Sequence, residues 1–330
     1  MTSLTTPRFS VLLPVHRPPD LLPAAIESVL AQTSRDFELL VVCDGAPEQT
    51  AACARAFGER DPRVRTFEFA KGARHGEAHR AAVLAQATGT LVAHICDDDL
   101  WFPDHLAELE TLLTAADFGN VIHTQISPHG TVEALACDLA DPAFRRLFVE
   151  QKFNRFGPTF CGYRMDAYRR LPDGWAPGPP DVWSDLHMWR KFLRRDDIKA
   201  ATRAAVTGLH FAAVARVGVP LQQRRQENER WHARIADPGE RRLITEAALQ
   251  SLVRQCVGHE REVHETREAH RLAAQAAEAA HIRLAETEAR LADADAERAG
   301  YQAQLDQIMR STSWRWTAPL RALVRLLRRS

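Results

Sequence analysis

The chain has 330 residues, a length that suggests about two units, and 45% of them are apolar, enough for a sizeable core. Its 43 basic and 43 acidic residues balance, which removes any bulk electrostatic case for nucleic-acid binding. The cysteines, at 43, 53, 96, 137, 161 and 256, form no C-x-x-C pair and so signal neither a zinc site nor a redox pair; with no signal peptide in residues 1–10 and no apolar run near the ~20 residues that span a bilayer, a soluble, cytoplasmic protein with reduced thiols is expected.

Phe9–Val15 is a short apolar run closed by His16-Arg17-Pro18-Pro19, and it reads as a buried strand followed by a turn. Residues 20–32 carry apolar side chains at helical spacing. Phe37–Cys43 is a second buried strand ending at Asp44-Gly45. Residues 49–58 read as a helix, Val64–Phe69 as a third strand and residues 76–87 as an Ala-rich helix. Thr90–Cys96 is a fourth strand, with Asp97-Asp98-Asp99 at its carboxyl end. Strands that alternate with helices predict an α/β fold with a mostly parallel sheet and right-handed crossovers. Ligands bind such sheets at the carboxyl ends of the strands, where Asp44 and Asp97–Asp99 fall. Residues 140–235 are less regular. Pro172–Pro180 is a loop by its prolines and glycines, and Asp185–Leu193 has the spacing of a helix.

From Glu240 the composition shifts to Ala, Glu, Arg and Gln, with no proline between Pro238 and Pro319. A heptad register puts Val263, Leu284, Leu291 and Leu305 at a, with Tyr301 and Ile308 at d. It also places His270 and Arg298 in the seam, which predicts a thin coiled coil over 259–310 that takes a second copy or a partner, against the plainer reading of a lone solvated helix. After Ser311 come Trp314 and Trp316 and then a basic amphipathic segment from Pro319. Arg321, Arg325 and Arg328 share one face, opposite Leu320, Leu323, Val324 and Leu327. Residues 312–330 are too short to span a bilayer but suit an interface with anionic lipid, against the plainer reading of a terminal helix that packs on its own protein.

Three consecutive aspartates repel one another and raise one another's pKa unless a cation relieves them. Mg²⁺ and Mn²⁺ prefer carboxylate oxygens and bridge diphosphates. Taken alone, this pattern fits a metal–diphosphate site and an acidic turn that caps the next helix equally well.

The segments Phe9–His16, Val41-Val42-Cys43-Asp44-Gly45 and Gly89–Pro103 together resemble, in order and spacing, a family 2 glycosyltransferase of the GT-A fold. The resemblance runs over roughly residues 8–235. It implies a Rossmann-like nucleotide-diphospho-sugar transferase domain over 1–235, with a nucleotide-binding part at about 8–120 and an acceptor part at about 121–235. A helical coiled-coil segment, 240–310, and a basic tail, 311–330, follow. The same resemblance implies that Asp44 accepts a hydrogen bond from the donor's base, expected to be uracil, and that Pro14, Val15 and His16 line the base and ribose pocket. Lys71 and Arg74 stand near the donor phosphates. Asp97 approaches the ribose or metal, Asp98 is the preferred ligand of Mn²⁺ or Mg²⁺, and Asp99 supports the metal or contacts the donor sugar. His210 is a further metal candidate, against the plainer reading of a structural histidine. Cys43 and Cys96 stand where the family often has Asp, which leaves the assignment among Asp97, Asp98 and Asp99 open.

An inverting transferase needs a base for the acceptor hydroxyl. The match to the family's acidic residue is Asp185, with Asp181 next. The plainer reading of Asp185 is a helix cap. Gln226–Trp231 is similar to the Gln-x-x-Arg-Trp of processive synthases, but its spacing is off by one, so no processive synthase is expected. The activity implied is transfer of sugar from a nucleotide-sugar donor to a glycan or lipid-linked acceptor in cell-surface polysaccharide or glycoconjugate assembly, at the inner face of the membrane. A sugar nucleotidyltransferase would want a Gly-rich loop after the first strand, where His16–Pro19 stands. A non-catalytic scaffold would have no need of Asp44, Asp97–Asp99 and Asp185.

Overall fold

A computed structural model describes residues 6–328. Residues 1–5 and 329–330, at the outer ends of the expected first domain and tail, lie outside the described residues. The chain forms two compact units, one ending at Cys256 and one beginning at Val257.

The first unit opens with β1 (Phe9–Val15), α1 (Leu22–Leu30), β2 (Phe37–Asp44), α2 (Glu48–Arg60), β3 (Val64–Phe69), α3 (Glu77–Leu84) and β4 (Leu91–His94). Then come β5 (Leu100–Trp101), α4 (His105–Ala115), β6 (Phe118–Val121), β7 (His123–Ile126), β8 (Val132–Leu135) and α5 (Pro142–Glu150). β9 (Cys161–Arg164), α6 (Met165–Arg169), α7 (Ser184–Leu193), β10 (Ala200–Arg203), β11 (Gly208–Leu209) and α8 (Leu221–Ala236) follow. α9 runs 73 residues, Pro238–Arg310, and α10 (Thr312–Trp316) and α11 (Ala318–Leu327) complete the chain.

The main sheet has the order β10-β6-β9-β4-β1-β2-β3 and is parallel except at β9, which runs against both of its neighbours. This is the expected parallel-dominated α/β architecture. β1 and β2 pair in register from Phe9↔Phe37 to Val15↔Cys43, and almost every residue in them is buried. Strands covered by helices on both faces lose the polar–apolar alternation and read as apolar runs, which is why the sequence betrayed them. Glu38 is the exception inside β2. It is buried but accepts from Ser10 Oγ at 2.7 Å, Thr88 N at 2.6 Å and Arg65 Nη1 at 2.8 Å, so its charge is compensated as a buried charge must be.

Two small pairings shape the active end. β5 pairs antiparallel with β11, Leu100↔Leu209, and β7 pairs with β8. An isolated bridge joins Gln125 to His210. The β5–β11 ladder carries residues 208–211 against the end of the aspartate run, across more than 100 residues of chain. α8 turns Arg224, Asn228, Trp231 and Ile235 inward, a spacing that puts all four on one helix face. The first unit extends past residue 235 because Ile244 and Ala248 of α9 are buried against it. Gln255 Nε2 also donates to Ala134 O at 2.7 Å.

Candidate active site

Asp44 ends β2, and the loop after β3 closes on it. Its Oδ1 accepts from Gly72 N at 2.6 Å, and its Oδ2 meets Lys71 Nζ. Burial alone would raise the Asp44 pKa, but the Lys71 and Gly72 hydrogen bonds outweigh burial and hold it below the usual carboxylate range. The loop reaches this position through Gly76, at φ +70°, where an added Cβ would lie 2.5 Å from Asp44 Oδ2. Only glycine meets both demands.

Pro14, Val15, His16, Asp44, Lys71 and Arg74 line one cavity of about 280 Å³ together with Asp97, Asp98 and His210. The structure therefore gathers the expected donor and acidic residues at one place. All three aspartates are buried, and each has a different environment. Asp98 Oδ2 accepts from Arg17 Nη1 at 2.8 Å and from Arg224 Nη2 at 2.9 Å, while Asn228 Nδ2 donates to the Asp98 carbonyl at 2.9 Å. Asp97 Oδ2 is buried and accepts no hydrogen bond. Arg17 Nε lies 3.0 Å from it, as an ion pair without hydrogen-bond alignment. Burial first, and then the Asp98 charge, push the Asp97 pKa up.

Asp99 differs from the expectation of a metal-supporting ligand. Its Oδ1 accepts from Phe211 N at 3.0 Å and faces His210 Nδ1 at 3.0 Å, and its Oδ2 meets the Thr159 hydroxyl. Burial would raise its pKa, but His210 and these donors hold it down, so it stays ionised. His210 in turn is held above its ordinary range, because Asp99 outweighs the effect of burial. With Nδ1 on Asp99, His210 is the partner of that carboxylate. Both oxygens of Asp99 are engaged within the protein.

A second cavity, of about 480 Å³, is lined by Asp181, Trp183, Asp185 and Lys152, and it shares Arg74, His75 and Arg80 with the first. Asp185 is the second residue of α7 and does not cap it; the capping position is Trp183. Its Oδ2 accepts from Asn154 Nδ2 at 2.8 Å and its Oδ1 from Leu186 N at 2.7 Å. Burial pushes its pKa up, and the Leu186 N–H, the Arg80 charge and the Asn154 amide only partly offset this. Asp181 lies on the exposed loop beside it.

Arg74 is not free to meet a phosphate as expected. It holds φ 54°, and its guanidinium donates to the carbonyls of Gly178, Pro179 (2.5 Å) and Val182 (2.8 Å), which staples the 178–182 segment to the loop after β3. Arg80 is the better placed cation. It borders both cavities, donates from Nη2 to His75 O at 3.0 Å, and keeps its buried Nε without a hydrogen bond. Burial lowers its pKa, the mark of a buried charge with incomplete compensation.

Arg17, Arg80, Arg224, Asn228 and Asn154 had not been singled out in the sequence. For Arg224 and Asn228 a signal existed, the one-face spacing that runs on to Trp231. Arg17, Arg80 and Asn154 carry no such local mark.

The acidic corner passes one test for a divalent cation. Asp97 Oδ2 is buried and unbonded, and the proton affinity of Asp97 is raised by its neighbour, so a cation offsets a cost already present. Among the described residues, no group of three or more His, Cys, Asp or Glu side chains is arranged to hold a metal by itself. A Mg²⁺-type ion bound through one or two carboxylates completes its shell with water and substrate phosphates, and this corner fits that kind of ion.

Residues 10–171 match the family described as Glycosyl transferase family 2; the match ends before Asp185. The UDP-Glc:alpha-D-GlcNAc-diphosphoundecaprenol beta-1,3-glucosyltransferase WfgD of Escherichia coli is 32% identical over 97 residues, 29% of this chain and 37% of that protein. The succinoglycan biosynthesis protein ExoW of Rhizobium meliloti is 30% identical over 112 residues, 33% of this chain and 35% of that protein. The matched stretches span between 14% and 37% of the length of the curated relatives. The crystal structure of S. aureus TarS 1-349 is similar in fold, with a TM-score of 0.51 at 14% identity over 69% of this chain and 71% of that one.

Proposed function

We propose that this chain, which carries a glycosyl transferase family 2 domain, is an inverting glycosyltransferase that moves a sugar from a nucleoside diphosphate donor, read as uridine-linked, to a glycan or lipid-linked acceptor of cell-surface polysaccharide or glycoconjugate assembly. One observation carries this reading. A cavity with cationic and acidic groups for a nucleoside diphosphate opens beside a second cavity that holds a carboxylate of raised pKa, and the two meet at Arg80.

Asp44 and the β1 end receive the base and ribose. Lys71 and Arg80 face the diphosphate, and Arg17 and Arg224 hold Asp98 in place. Asp185 takes the proton of the acceptor hydroxyl as that oxygen bonds to the anomeric carbon, and the bond from the anomeric carbon to the phosphate oxygen breaks on the opposite face. Asn154 fixes the carboxylate of Asp185 for this step, and its raised pKa makes it the stronger base. Asp97 and Asp98 are the residues that would hold Mn²⁺ or Mg²⁺, which when bound supplies charge neutralisation for the leaving diphosphate. Asp99 and His210 brace the corner from behind.

Thermal unfolding tests the site. UDP with Mn²⁺ is expected to raise the midpoint by more than GDP or TDP do, since a ligand that favours the native state stabilises it. Asp98→Ala is expected to remove the Mn²⁺-dependent part. No shift with any nucleotide would end the reading.

The tail extends the reading to an anionic membrane surface. In α10 and α11, Trp316 and Leu320 are 81% and 65% exposed, and helical spacing puts Arg321 and Arg325 on the side away from Leu320, Leu323 and Leu327. No helix among the described residues is long and apolar enough to cross a membrane. Deleting 312–330 is expected to lower co-sedimentation with phosphatidylserine vesicles. Equal binding would remove the tail's role.

A further inference from the structure

The second unit presents a long helical face with no cover. From residue 259 to 310 every side chain of α9 except the half-buried Val263 is exposed, including Leu291 at 63%. Leu284, Leu291 and Leu305 recur on the a positions of a heptad, with Tyr301 and Ile308 on d, so the apolar groups form one stripe. A water-exposed helix this long gains little from such a stripe unless another helix covers it.

The flanking charges identify the cover. In the same register Arg283 and Arg290 fall on g, and Glu288 and Asp295 fall on e. Among the described residues, none of these four side chains forms an ion pair within the chain, whereas elsewhere on α9 Arg261 pairs with Glu265 and Arg271 with Glu268. In a parallel, in-register pair each g residue faces the e residue five places on in the other helix. Arg283 then meets Glu288 of the second copy and Arg290 meets its Asp295, on both sides of the seam. In an antiparallel pair e faces e and g faces g, which would set acid against acid and arginine against arginine over this stretch. Arg298, on a, adds to the argument: a polar group at one a position selects register and strand number at some cost in stability, and its long stem lets the charge reach water.

We propose that residues 259–310 form a parallel, in-register, two-stranded coiled coil with a second copy of this chain, its direction set by the Arg283–Glu288 and Arg290–Asp295 pairs. The inference stands apart from the glycosyltransferase reading, since it uses no residue of the cavities. Both basic tails then leave the coil from the same end, and two weak surface contacts act as one stronger one.

Light scattering on the full chain tests the proposal. The expected mass is twice 37.0 kDa. Arg283→Glu with Arg290→Glu is expected to weaken the dimer about tenfold or more, and adding Glu288→Arg with Asp295→Arg is expected to restore it. In an antiparallel coil the first pair of changes would merely exchange like for like. In a Cys256→Ser background, Ala273→Cys and Ala294→Cys, both on d, are each expected to give a disulfide-linked dimer on mild oxidation. A monomeric wild type, a dimer indifferent to the charge reversal, or crosslinking at only one of the two cysteines would overturn the proposal. Circular dichroism of each variant separates loss of helix from loss of pairing.

Discussion

Two cavities with carboxylates share Arg80 in their lining, one with the buried Asp97 and Asp98, next to the buried Asp99, the other with the half-buried Asp185, and the chain surrounds these carboxylates differently. At the acidic corner Asp98 has two guanidiniums, and Asp99 has His210, the Thr159 hydroxyl and a backbone N–H. Asp185 has an amide side chain and one backbone N–H. His210 and its hydrogen-bond donors hold Asp99 ionised against burial, whereas at Asp185 burial outweighs the Leu186 N–H, the Arg80 charge and the Asn154 amide and favours the protonated form. The contrast is between Asp99, which keeps its charge, and Asp185, which is expected to move a proton; Asp97, raised by burial and by Asp98, stands with neither.

The sharpest way to break that comparison is Asp185→Asn, which keeps the shape and both hydrogen-bonding neighbours within reach. Transfer is expected to fall by about 10²–10⁴-fold, the usual worth of a positioned base, while nucleotide-dependent stabilisation is retained; unchanged transfer would move the base elsewhere. Since a base acts only when ionised, and burial raises the pKa of Asp185, the rate in wild type is expected to rise with pH through a limb above about pH 4, the ordinary value for Asp. A limb below that value in a pH–kcat/KM profile would contradict the raised pKa.

A smaller effect sharpens the corner's side of the contrast. Gly76→Ala places a Cβ against Asp44 and forces a left-handed φ on alanine, at a cost of about 1–2 kcal/mol. In a unit of this size that corresponds to a drop of several degrees in Tm. Stabilisation by UDP is expected to shrink as well, because Asp44 is displaced, whereas Asp185 and its pH limb stay as they are. A lowered Tm with undiminished UDP stabilisation would separate Asp44 from the base pocket.

Much of the fold was legible because its signals are local. The bounds expected for β1 and β3 agree with those observed, and the strand end at Asp44 follows from a short apolar run closed by polar residues, whereas β4 stops at His94, short of the expected Cys96. The long helix was visible in a stretch free of proline. Asp44, the Asp97–Asp99 run and Asp185 were found as single residues in matching segments. What the sequence did not disclose is which partners those carboxylates have. Asp98 meets Arg17 and Arg224, and Asp99 meets Thr159 and His210, over separations of 60 to 126 residues. No periodicity records such a pairing.

The sequence by itself determined the element order, the sheet type and the chemical inventory at the strand ends, because strand and helix patterns depend on neighbours a few residues away. Tertiary structure alone decided that Arg74 is a staple, that Arg80 borders both cavities and that Asp99 is engaged by His210. Those outcomes depend on where the β5–β11 ladder and α8 bring distant side chains, and on how burial at those places shifts the balance between a charge and its partners.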